Sequence, residues 1–519
     1  MFKIDMKVHM KFSGPFPKEG AEFIKEFVDN ANEKLFTKGI PKDQLDEGAK
    51  ITSWEIRDDS LYLHIISGTR LRAHVAVLRF KNSLVSDLGR KYHIGLRNIE
   101  IDELLVEFEL DTEPIESITI PFSKSLEIDG KHVKLEIEGI DEEGLRKNYV
   151  DRIIKRIHEK VRAQSIKGKA AYSRTIRRSS PKLDKYVLDK DPTRDLLKLG
   201  WIKEFPAAGV WQILPPYAAL LRAIEQLVIE KIVKPAGFVE VFLPRLVPIE
   251  VQMKKGHLAI PYELFWVSPP ISRNAKDFED YIDLVEITGS PQEELLRTKL
   301  KAPAYGLAYA QCEPFYEIFS GEKMDIDKFI ENPIRYFDRN GPTWRYEGGG
   351  LKGIERLNEF HRLEFVYLSS PEKVIEIRDK LLDLAENVID KIFDLEYRID
   401  ATTAVYLEHS GNVESESSEF VKTYDLTALL PFKTISRPEA ELEIASFHVH
   451  TDFYANRFHF KDKNKRTVWT GCTGIGPSRW AYVFLIRYGF DYDNWPKEIR
   501  RIIGDKLPEP LKLLTWPKK

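Results

Sequence analysis

The sequence predicts an α+β fold with antiparallel sheets, and three observations lead to this prediction. Residues 1–165 contain strand-like segments that alternate polar and apolar residues. Helical patterns fill the gaps between them, as expected for an antiparallel sheet with one face covered by helices. From about residue 200 the pattern changes to a core with a glycine-rich hairpin, a long amphipathic helix and a last group of strands.

The first domain is predicted over residues 1–165, and its elements follow from residue periodicity. The strand-like segments are Phe2–Phe12, Ile51–Ile56, Leu61–Ile66, Ile101–Leu110, Ser117–Ile120 and Val133–Ile137. The helical segments are Glu19–Leu35, Leu71–Tyr92 and Glu143–Arg162. The domain shows no motif of catalytic residues.

A basic stretch closes this domain and continues beyond it. Residues 145–185 hold fourteen Lys or Arg and three acids, whereas the whole chain has a formal net charge of -3. A solvated helix face explains most charge runs, but one this long and one-sided favours a phosphate backbone as the partner. The candidate RNA-binding residues are Arg152, Lys155, Arg156, Arg174, Arg177 and Arg178. Residues 166–200 are predicted to be a basic linker, mobile near 165–180 because glycine and serine are frequent there.

Composition restricts the class of protein. The chain has 519 residues, enough for two or three domains, and 43% of them are hydrophobic. Its two cysteines exclude a disulfide framework and favour a reducing compartment. The N-terminus lacks the apolar block of a signal peptide, and no run is long enough to span a membrane. We therefore expect a soluble, cytoplasmic protein with no membrane partner.

The second domain is predicted over residues 201–519. Pro216 opens a predicted helix over Tyr217–Lys234, which leads into a strand ending at Pro244. Residues 273–300 form two helical pieces that resemble an insertion. A long amphipathic helix is expected over Pro371–Tyr397.

The central stretch, Trp344–Phe365, reads as two strands joined by a glycine-rich loop. Arg345 and Glu347 lie two residues apart and therefore share one strand face. On the second strand, even steps place four side chains on one face: Arg356, Phe360, Arg362 and Glu364. A hydrophobic core does not accept such a face, whereas a nucleotide matches arginine forks with its phosphates and an aromatic ring with its base. A solvated hairpin with charge pairs across it is the alternative.

Three stretches resemble the signature motifs of class II aminoacyl-tRNA synthetases. GFVEVFLPRL (237–246) is similar to the first motif, which forms the dimer interface in that family. The central hairpin resembles the second motif, with R-x-E, a glycine-bearing loop and G-x-x-R-x-x-E-F at Gly353–Phe360. GCTGIGPSRW (471–480) resembles the third motif. The resemblance implies an antiparallel-sheet catalytic core and a homodimer.

The resemblance also implies roles in binding ATP. Arg345 would bind the α-phosphate and stabilise the charge that develops there, and Arg479 would bind the γ-phosphate. Phe360 would stack on adenine, while Glu347 would hold the adenine or the substrate side. Arg356 belongs to the same ATP-binding set. The residue types agree with these roles, because fixed cationic groups stabilise phosphoryl charge.

A further segment resembles seryl-tRNA synthetases in particular. ELEIASFHVHTDFYANRF (441–458) is similar to their glutamate-to-TDF segment. Glu443 matches the position that holds magnesium with ATP, and Ser446 matches a second ligand position. Val449 and His450 replace the asparagine and cysteine of the common enzymes, and the N-terminal domain shows no long coiled coil. Both departures agree with the atypical, methanogen-type seryl-tRNA synthetases, whose N-terminal domain is a mixed sheet-and-helix module that binds tRNA.

That family carries one active-site zinc held by two cysteines and a glutamate. Cys312 and Cys472 are the only cysteines, and both lie in the catalytic half. Glu364 is the expected third ligand because it shares a face with Phe360. Three protein ligands leave a fourth position open, as a catalytic zinc requires.

The alternatives for the third zinc ligand stay open at this point. Glu359 is close in sequence, although its parity directs it to the opposite face. His448 and His450 lie two apart on one strand, where a packing or hydrogen-bonding role is the more common one for neutral histidines.

The predicted reaction is the ATP-dependent formation of seryl-adenylate and transfer of serine to tRNA(Ser). The predicted partners are ATP, serine and tRNA(Ser), and no DNA. The loop Ala401–Glu419 is expected to order over bound serine. The alternatives are an amino acid:carrier protein ligase with the same core, a non-catalytic RNA-binding paralogue, and a threonine-specific enzyme.

Overall fold

The computed structural model describes residues 2–16, 19–165, 173–403, 420–432 and 440–517. The chain forms two compact units, Met1–Ala170 and Ala171–Lys519, and each is described separately. In the described residues no helix is long and apolar enough to cross a membrane.

The N-terminal unit is a six-stranded antiparallel sheet in the order β2-β3-β1-β4-β6-β5. Its strands are β1 (Phe2–Phe12), β2 (Ala49–Arg57), β3 (Ser60–Ser67), β4 (Leu96–Glu109), β5 (Ser123–Asp129) and β6 (His132–Ile137). Its helices are α1 (Gly20–Asn30), α2 (Ala73–Tyr92), α3 (Glu142–Arg146) and α4 (Tyr149–Ser165).

Alternation explains the core of this unit. In β1 the even residues Ile4, Met6, Val8 and Met10 are buried. They pack with Val77, Phe80 and Leu84 of α2 and Ile153 and Ile157 of α4 in one apolar cluster. The helices therefore cover one face of the sheet, as the sequence predicted.

One predicted strand of this unit is wrong. Ser117–Ile120 is not a strand, and the chain pairs instead through β5, which joins β6 by a tight turn with Gly130 at φ 57°. Ile118 and Ile120 pack against the core, so their alternation reflects burial rather than strand pairing. Pro121 follows directly and cannot donate to a ladder.

The second unit is built on an eight-stranded sheet in the order β8-β9-β10-β14-β13-β12-β11-β7. Its strands are β7 (Ser173–Arg178), β8 (Val239–Glu240), β9 (Ile334–Asp338), β10 (Leu363–Ser369), β11 (Tyr397–Thr402), β12 (Thr423–Leu429), β13 (Glu441–Thr451) and β14 (Trp469–Ile475). The pair β8–β9 is parallel and the other pairs are antiparallel. Short two-residue and three-residue strands flank it: Ile202–Glu204, Trp211–Ile213, Leu246–Pro248, Trp266–Val267, Tyr305–Leu307, Lys323–Met324, Thr343–Trp344, Glu359–Phe360 and Lys461–Asp462.

Helices cover the large sheet on one face and border a cavity on the other. They are α5 (Thr193–Leu199), α6 (Pro215–Val228, continued to Ala236), α7 (Ile249–Lys255), α8 (Glu279–Thr288), α9 (Glu293–Thr298), α10 (Glu313–Glu317), α11 (Ile326–Glu331), α12 (Pro371–Asn387, continued to Ile392), α13 (Phe453–Phe458), α14 (Pro477–Tyr488) and α15 (Lys497–Ile503). The predicted insertion contains α8 and α9. The long predicted helix is α12, but it ends at Ile392, and its predicted last residue, Tyr397, begins β11.

Strand β10 shows how the sheet separates two environments. Its odd residues, Leu363, Phe365 and Tyr367, pack in the large core with α6, α12 and α14. Val366 and Leu368 face the other side and pack in a second cluster with Cys312 and Cys472. Because side chains alternate along a strand, Glu364 lies on this second face.

The predicted mobile linker needs a correction. Within residues 166–200, Ser173–Arg178 forms β7 at the edge of the large sheet and pairs with β11. Acidic groups hold it there: Arg177 lies 3.0 Å from Asp383 and also pairs with Glu386, and Thr175 donates to Asp400. Glycine and serine content did not reveal these partners, since they lie more than 200 residues away in sequence. Residues 166–172 lie outside the described range.

Candidate active site and metal centre

A cavity opens on the face of the large sheet that carries the second apolar cluster. Its lining combines a set of charged side chains with small residues of β14. The charged and polar side chains include Lys255, His257, Arg345, His361, Arg362, Glu364, Glu443, Ser446, His448, His450, Ser478 and Arg479. Gly474 forms part of the floor between them, and a Cβ there would meet the Arg362 side chain at 3.2 Å. A larger residue would therefore fill the space between Glu364 and Ser446.

The predicted hairpin supplies one wall. Thr343–Trp344 pairs with Glu359–Phe360, and Arg345 and Glu347 follow outside the strand, with Glu347 in the helical region at φ -89° and ψ -7°. The predicted second strand is interrupted, because Glu359–Phe360 and β10 are separate strands and Arg356 lies in neither. Arg345 Nη2 lies 3.0 Å from Glu263 Oε2, and Arg345 Nε lies 3.3 Å from Glu347 Oε1. Arg356 Nε lies 2.5 Å from the other Glu347 oxygen. Arg345 and Phe360 line the cavity, whereas Glu347 and Arg356 lie behind Arg345 and hold it.

Electrostatics keep Arg345 charged. Burial opposes its charge, but Tyr309, Glu347 and Glu263 raise the pKa of the guanidinium above its ordinary value. The guanidinium also lies over the ring of Tyr309, 5.3 Å from its centroid. A cation with this support is held ready for a negatively charged group.

Asn358 fixes the two strands of the hairpin and was missed by sequence reasoning. Its side chain accepts the backbone N–H of Glu347 at 2.9 Å and donates to the carbonyl of Ala208 at 2.8 Å. Its backbone carbonyl accepts the N–H of Arg345, and its N–H donates to Gly209. The polar groups of Asn358 are therefore used to position the Arg345–Glu347 segment. The pattern of the hairpin alone did not predict contacts with Ala208 and Gly209.

Arg479 lies opposite, in the first turn of α14. Its Nη1 donates to the backbone carbonyl of Glu443 at 2.9 Å and lies 3.7 Å from the Glu443 carboxylate. Ser446 donates to Asp425 on the neighbouring strand. The three predicted residues Glu443, Ser446 and Arg479 therefore lie together in the cavity lining.

The predicted zinc ligands converge at the deep part of the cavity. Ligand atoms of Cys312, Glu364 and Cys472 lie within 4.8 Å of one another, and all three residues are buried. Strand register places two of them, because Val366 faces Cys472 and Glu364 faces Gly474. Cys312 reaches the site from the residue before α10. Among the described residues this is the one set of three metal-type ligands that meets this distance.

The carboxylate of Glu364 is buried away from solvent. Its Oε2 is buried without a hydrogen bond, and its contact is the ion pair with Arg362 Nε at 3.0 Å. Burial opposes the charge of Arg362, but Glu364 and the two sulfurs raise the pKa of that arginine. A hydrogen bond with Cys312 and burial raise the pKa of the Cys472 thiol well above its usual range. Ionising a buried carboxylate and two buried thiols costs free energy unless a cation lies beside them. A divalent metal ion would supply that positive charge.

The structure separates Glu359 from this cluster, whereas His448 and His450 line the same cavity as the cysteines. Glu359 lines a different cavity beside Trp211 and Tyr217, and burial raises the pKa of its carboxyl. His448 Nδ1 lies 3.0 Å from Thr423 Oγ1, so one ring nitrogen already has a hydrogen-bond partner. His450 Nδ1 lies 3.1 Å from Tyr316 Oη, although its Nε2 approaches Cys472 Sγ at 3.4 Å. These contacts match hydrogen-bonding and packing roles.

Lys255 is a further residue that sequence reasoning missed. It ends α7, is 5% exposed, and lies with its Nζ 3.1 Å from Cys312 Sγ. Lys255 and Cys312 are 57 residues apart in sequence, and no motif marks Lys255.

The predicted RNA-binding residues fall on two separate units. Arg152, Lys155 and Arg156 lie on α4, where the side chains of Lys155 and Arg156 are 73% and 57% exposed. Arg174, Arg177 and Arg178 are exposed on β7, where Arg177 and Arg178 also pair with carboxylates of their own unit. Residues 404–419 of the predicted serine loop lie outside the described residues, and Ala401 and Thr402 end β11.

Comparisons with known proteins agree with this geometry. Residues 2–159 match the family described as a tRNA-binding domain. Residues 299–487 match the tRNA synthetase class II core domain (G, H, P, S and T). The matched core contains the hairpin, both cysteines and Arg479. Together, fold and site define the catalytic core of a class II aminoacyl-tRNA synthetase.

Relatives that span the chain give the family. A type-2 serine–tRNA ligase of Methanocaldococcus jannaschii is 38% identical and covers 100% of this chain and 99% of its own length. One of Methanococcus maripaludis is 35% identical over 99% of this chain and 100% of the relative. The solved structure of M. kandleri SerRS in complex with A. aeolicus tRNASec superposes with a TM-score of 0.81 at 32% identity, covering 100% of both chains. The chain belongs to the family of type-2 serine–tRNA ligases. This confirms the class II family that the three motifs predicted and the methanogen-type seryl family that residues 441–458 predicted.

Proposed function

We propose that this protein is a serine–tRNA ligase that activates serine with ATP and transfers it to tRNA(Ser). One observation carries the proposal: the arginines of the nucleotide motifs and a Cys–Glu–Cys cluster line one cavity, in a chain that belongs to this family. A non-catalytic paralogue has no need to keep Arg345, Arg479 and both cysteines in this arrangement.

Zinc is the metal that the cluster fits. Two thiolates and a carboxylate form a common ligand set for zinc, and three protein ligands leave a position for substrate. The cluster is buried, and the unsolvated Oε2 of Glu364 offers a lone pair. Cys312, Glu364 and Cys472 would hold the ion. When bound, zinc supplies an electrophilic centre that can accept the amino group of serine.

In the first step the serine carboxylate attacks the α-phosphate of ATP and pyrophosphate leaves. Arg345 would contact the α-phosphate, because its ion pairs with Glu263 and Glu347 hold it at the cavity wall. Arg479 would contact the γ-phosphate from the start of α14, and Phe360 would stack on adenine. Glu443 and Ser446 would hold the magnesium that accompanies ATP. These groups are in place before the reaction, so little reorganisation opposes charge development.

In the second step the terminal ribose hydroxyl of tRNA attacks the carbonyl of seryl-adenylate, forms the ester bond and releases AMP. We assign no general base to this step. The tRNA would be held by shape and by phosphate contacts of the N-terminal unit, as expected for structured RNA. The exposed cations of α4 are the proposed phosphate contacts, with those of β7 as a second set.

A homodimer is the proposed assembly. The segment that resembles the first motif exposes large apolar side chains, with Val239 at 63%, Phe242 at 75% and Leu246 at 46% exposure. Neighbouring apolar groups that stay exposed in a monomer favour burial against a partner. Sedimentation of the protein should give twice the mass of one chain. In Phe242→Glu the measured mass should fall towards that of a single chain.

ATP–pyrophosphate exchange with each amino acid, followed by aminoacylation of total tRNA, tests the function. We expect exchange with serine and charging of tRNA(Ser). Exchange with threonine instead of serine would contradict the proposed substrate. Exchange with serine but no charging of tRNA would favour the carrier protein ligase, although the match of residues 2–159 to a tRNA-binding domain argues against that alternative.

A further inference from the structure

The inference concerns Lys255, a lysine buried beside the proposed metal centre. It ends α7 and has 5% of its surface exposed. Its Nζ lies 3.1 Å from Cys312 Sγ and above the rings of Tyr454 and Tyr316, at 4.0 and 4.7 Å from their centroids. The ammonium group is thus enclosed by one sulfur and two aromatic faces.

Lys255 has an unusual set of partners for a buried lysine. A desolvated ammonium costs several kcal/mol unless an anion compensates it. In the part of the chain that the structure describes, no carboxylate oxygen lies within 4.0 Å of its Nζ. Tyrosine rings attract a cation, but by about 2 kcal/mol when desolvated. A thiolate at Cys312 is the anion that the geometry offers.

Two cationic side chains lie against different members of the proposed ligand set. Two thiolates and a carboxylate around a divalent ion carry one net negative charge. Arg362 Nε lies on the carboxylate side, 3.0 Å from Glu364, and Lys255 Nζ lies on the sulfur side. The carboxylate of Glu364 and the sulfur of Cys312 therefore each have a cationic side chain within 3.1 Å.

We propose that Lys255 is a positioning residue of the metal centre, whose ammonium group donates a hydrogen bond to the Cys312 thiolate and holds it towards the ion. This proposal rests on the zinc site proposed above. Partners that hydrogen-bond to metal ligands orient them, and their loss typically weakens metal affinity about 10- to 100-fold.

The test compares Lys255→Met with Lys254→Met in the full-length protein. Methionine keeps an unbranched stem but removes the charge and the donor. Lys254 is the matched control, because its Nζ pairs with Glu317 at 2.7 Å and Ser320 at 2.9 Å, outside the cavity lining. The first readout is the zinc dissociation constant, from competition with a chromophoric chelator. The second is the sulfur-to-cobalt charge-transfer band of protein reconstituted with Co²⁺.

The expected result is a zinc dissociation constant about 10-fold or more higher in Lys255→Met, together with a shifted charge-transfer band. Lys254→Met should match the wild type in both. Wild-type affinity and an unshifted band in Lys255→Met would overturn the proposal. A higher KM for serine with unchanged zinc affinity would also overturn it, and would assign Lys255 to the substrate carboxylate.

Two controls separate other failures. If the wild-type protein binds no zinc or cobalt, both the proposed zinc site and the proposed role of Lys255 are wrong. If wild type and variant bind the metal equally well, only the proposed role of Lys255 is wrong. If Lys255→Met does not fold, Lys255→Gln keeps a donor without the charge. We expect a zinc affinity for Lys255→Gln below that of the wild type, and an equal affinity would count against the proposal.

Discussion

The side chain of Asn358 accepts the backbone N–H of Glu347, with 2.9 Å between oxygen and nitrogen. The same side chain donates to the carbonyl of Ala208 at 2.8 Å, so a residue near the start of the catalytic unit is tied to the hairpin. Because Glu347 in turn contacts both Arg345 and Arg356, the position of the proposed α-phosphate contact depends on this amide.

Asn358→Asp tests this dependence. Aspartate can still accept from Glu347, but it cannot donate to Ala208, and its charge would face a carbonyl oxygen. We expect a loss of stability of about 1–3 kcal/mol and a kcat/KM for ATP in pyrophosphate exchange about 10-fold lower, which corresponds to about 1.4 kcal/mol. Normal exchange kinetics in this variant would show that the Ala208 contact does not position the hairpin.

Glu364→Gln and Glu359→Gln form a matched pair for the metal site. The two glutamates lie five residues apart, but the structure places Glu364 with the cysteines and Glu359 in another cavity. Zinc content, measured by atomic emission on protein purified without chelator, should fall below half an ion per chain in Glu364→Gln and stay near one in Glu359→Gln. Cys312→Ser and Cys472→Ser should behave like Glu364→Gln. Full zinc content in both cysteine variants would refute the ligand assignment.

Arg345→Ala and Arg479→Ala test the phosphate contacts. Removing a fixed donor from a developing charge typically lowers kcat about 10²- to 10³-fold. For Arg345→Ala we expect kcat of serine-dependent pyrophosphate exchange to fall by this factor. For Arg479→Ala we expect kcat to fall and the KM for ATP to rise. Arg297→Ala is the control, because Arg297 is exposed and pairs with Glu294 on the same helix. A loss in the control equal to that in the two variants would point to a general defect.

Exposed cations on α4 should affect tRNA and leave serine activation unchanged. In the triple variant Arg152→Ala, Lys155→Ala and Arg156→Ala we expect a raised KM for tRNA and a shallower salt dependence, by about one unit of slope for each lost phosphate contact. Pyrophosphate exchange should be unaffected. Lys7→Ala, on the sheet of the same unit and paired with Glu103 at 2.5 Å, is the control. An unchanged KM for tRNA would move the contact surface away from α4.

Stability of the catalytic unit should fall in mild acid. Burial lowers the pKa of His448 to about 4, below its ordinary value of 6.5. Between these two values the unfolded chain binds a proton that the folded chain does not, so the free energy of unfolding decreases as pH falls from about 6.5 to about 4, by on the order of 1–3 kcal/mol. His448→Gln should flatten this part of the profile in thermal unfolding. His132→Gln, in the N-terminal unit, should leave the catalytic transition as it is.

The sequence pattern predicted features that depend on residues close together in the chain. The alternation of β1 gave its bounds, because one face of that strand is buried along its whole length. Parity predicted that Glu364 rather than Glu359 lies with the cysteines, and the structure agrees. The argument assumed one continuous strand, however, whereas Glu359 belongs to the short strand Glu359–Phe360 and Glu364 to β10. For Cys312 and Cys472, the resemblance to a zinc-binding family supplied what spacing could not, and the structure brings their ligand atoms within 4.8 Å of Glu364.

Contacts between distant segments escaped prediction. Lys255 and Asn358 are ordinary polar residues in sequence, and their contacts are made with distant parts of the chain. The strand β7 was missed for the same reason, since the carboxylates that pair with Arg177 belong to α12. Ser117–Ile120 shows the converse, in which a regular pattern packs on the core without pairing.

Phe360 and Glu364 are four residues apart, at the end of the short strand Glu359–Phe360 and near the start of β10. At about 3.3 Å per residue, the segment between them spans at most about 13 Å. In the proposed reaction one end contacts the adenine of ATP and the other contacts the ion that receives the amino acid. The length of this short segment therefore limits the distance between the binding sites of the two reactants. An insertion of one residue there would lengthen the segment and turn Glu364 towards the apolar core. ATP and the amino acid would then no longer be placed correctly for reaction, even if each could still bind.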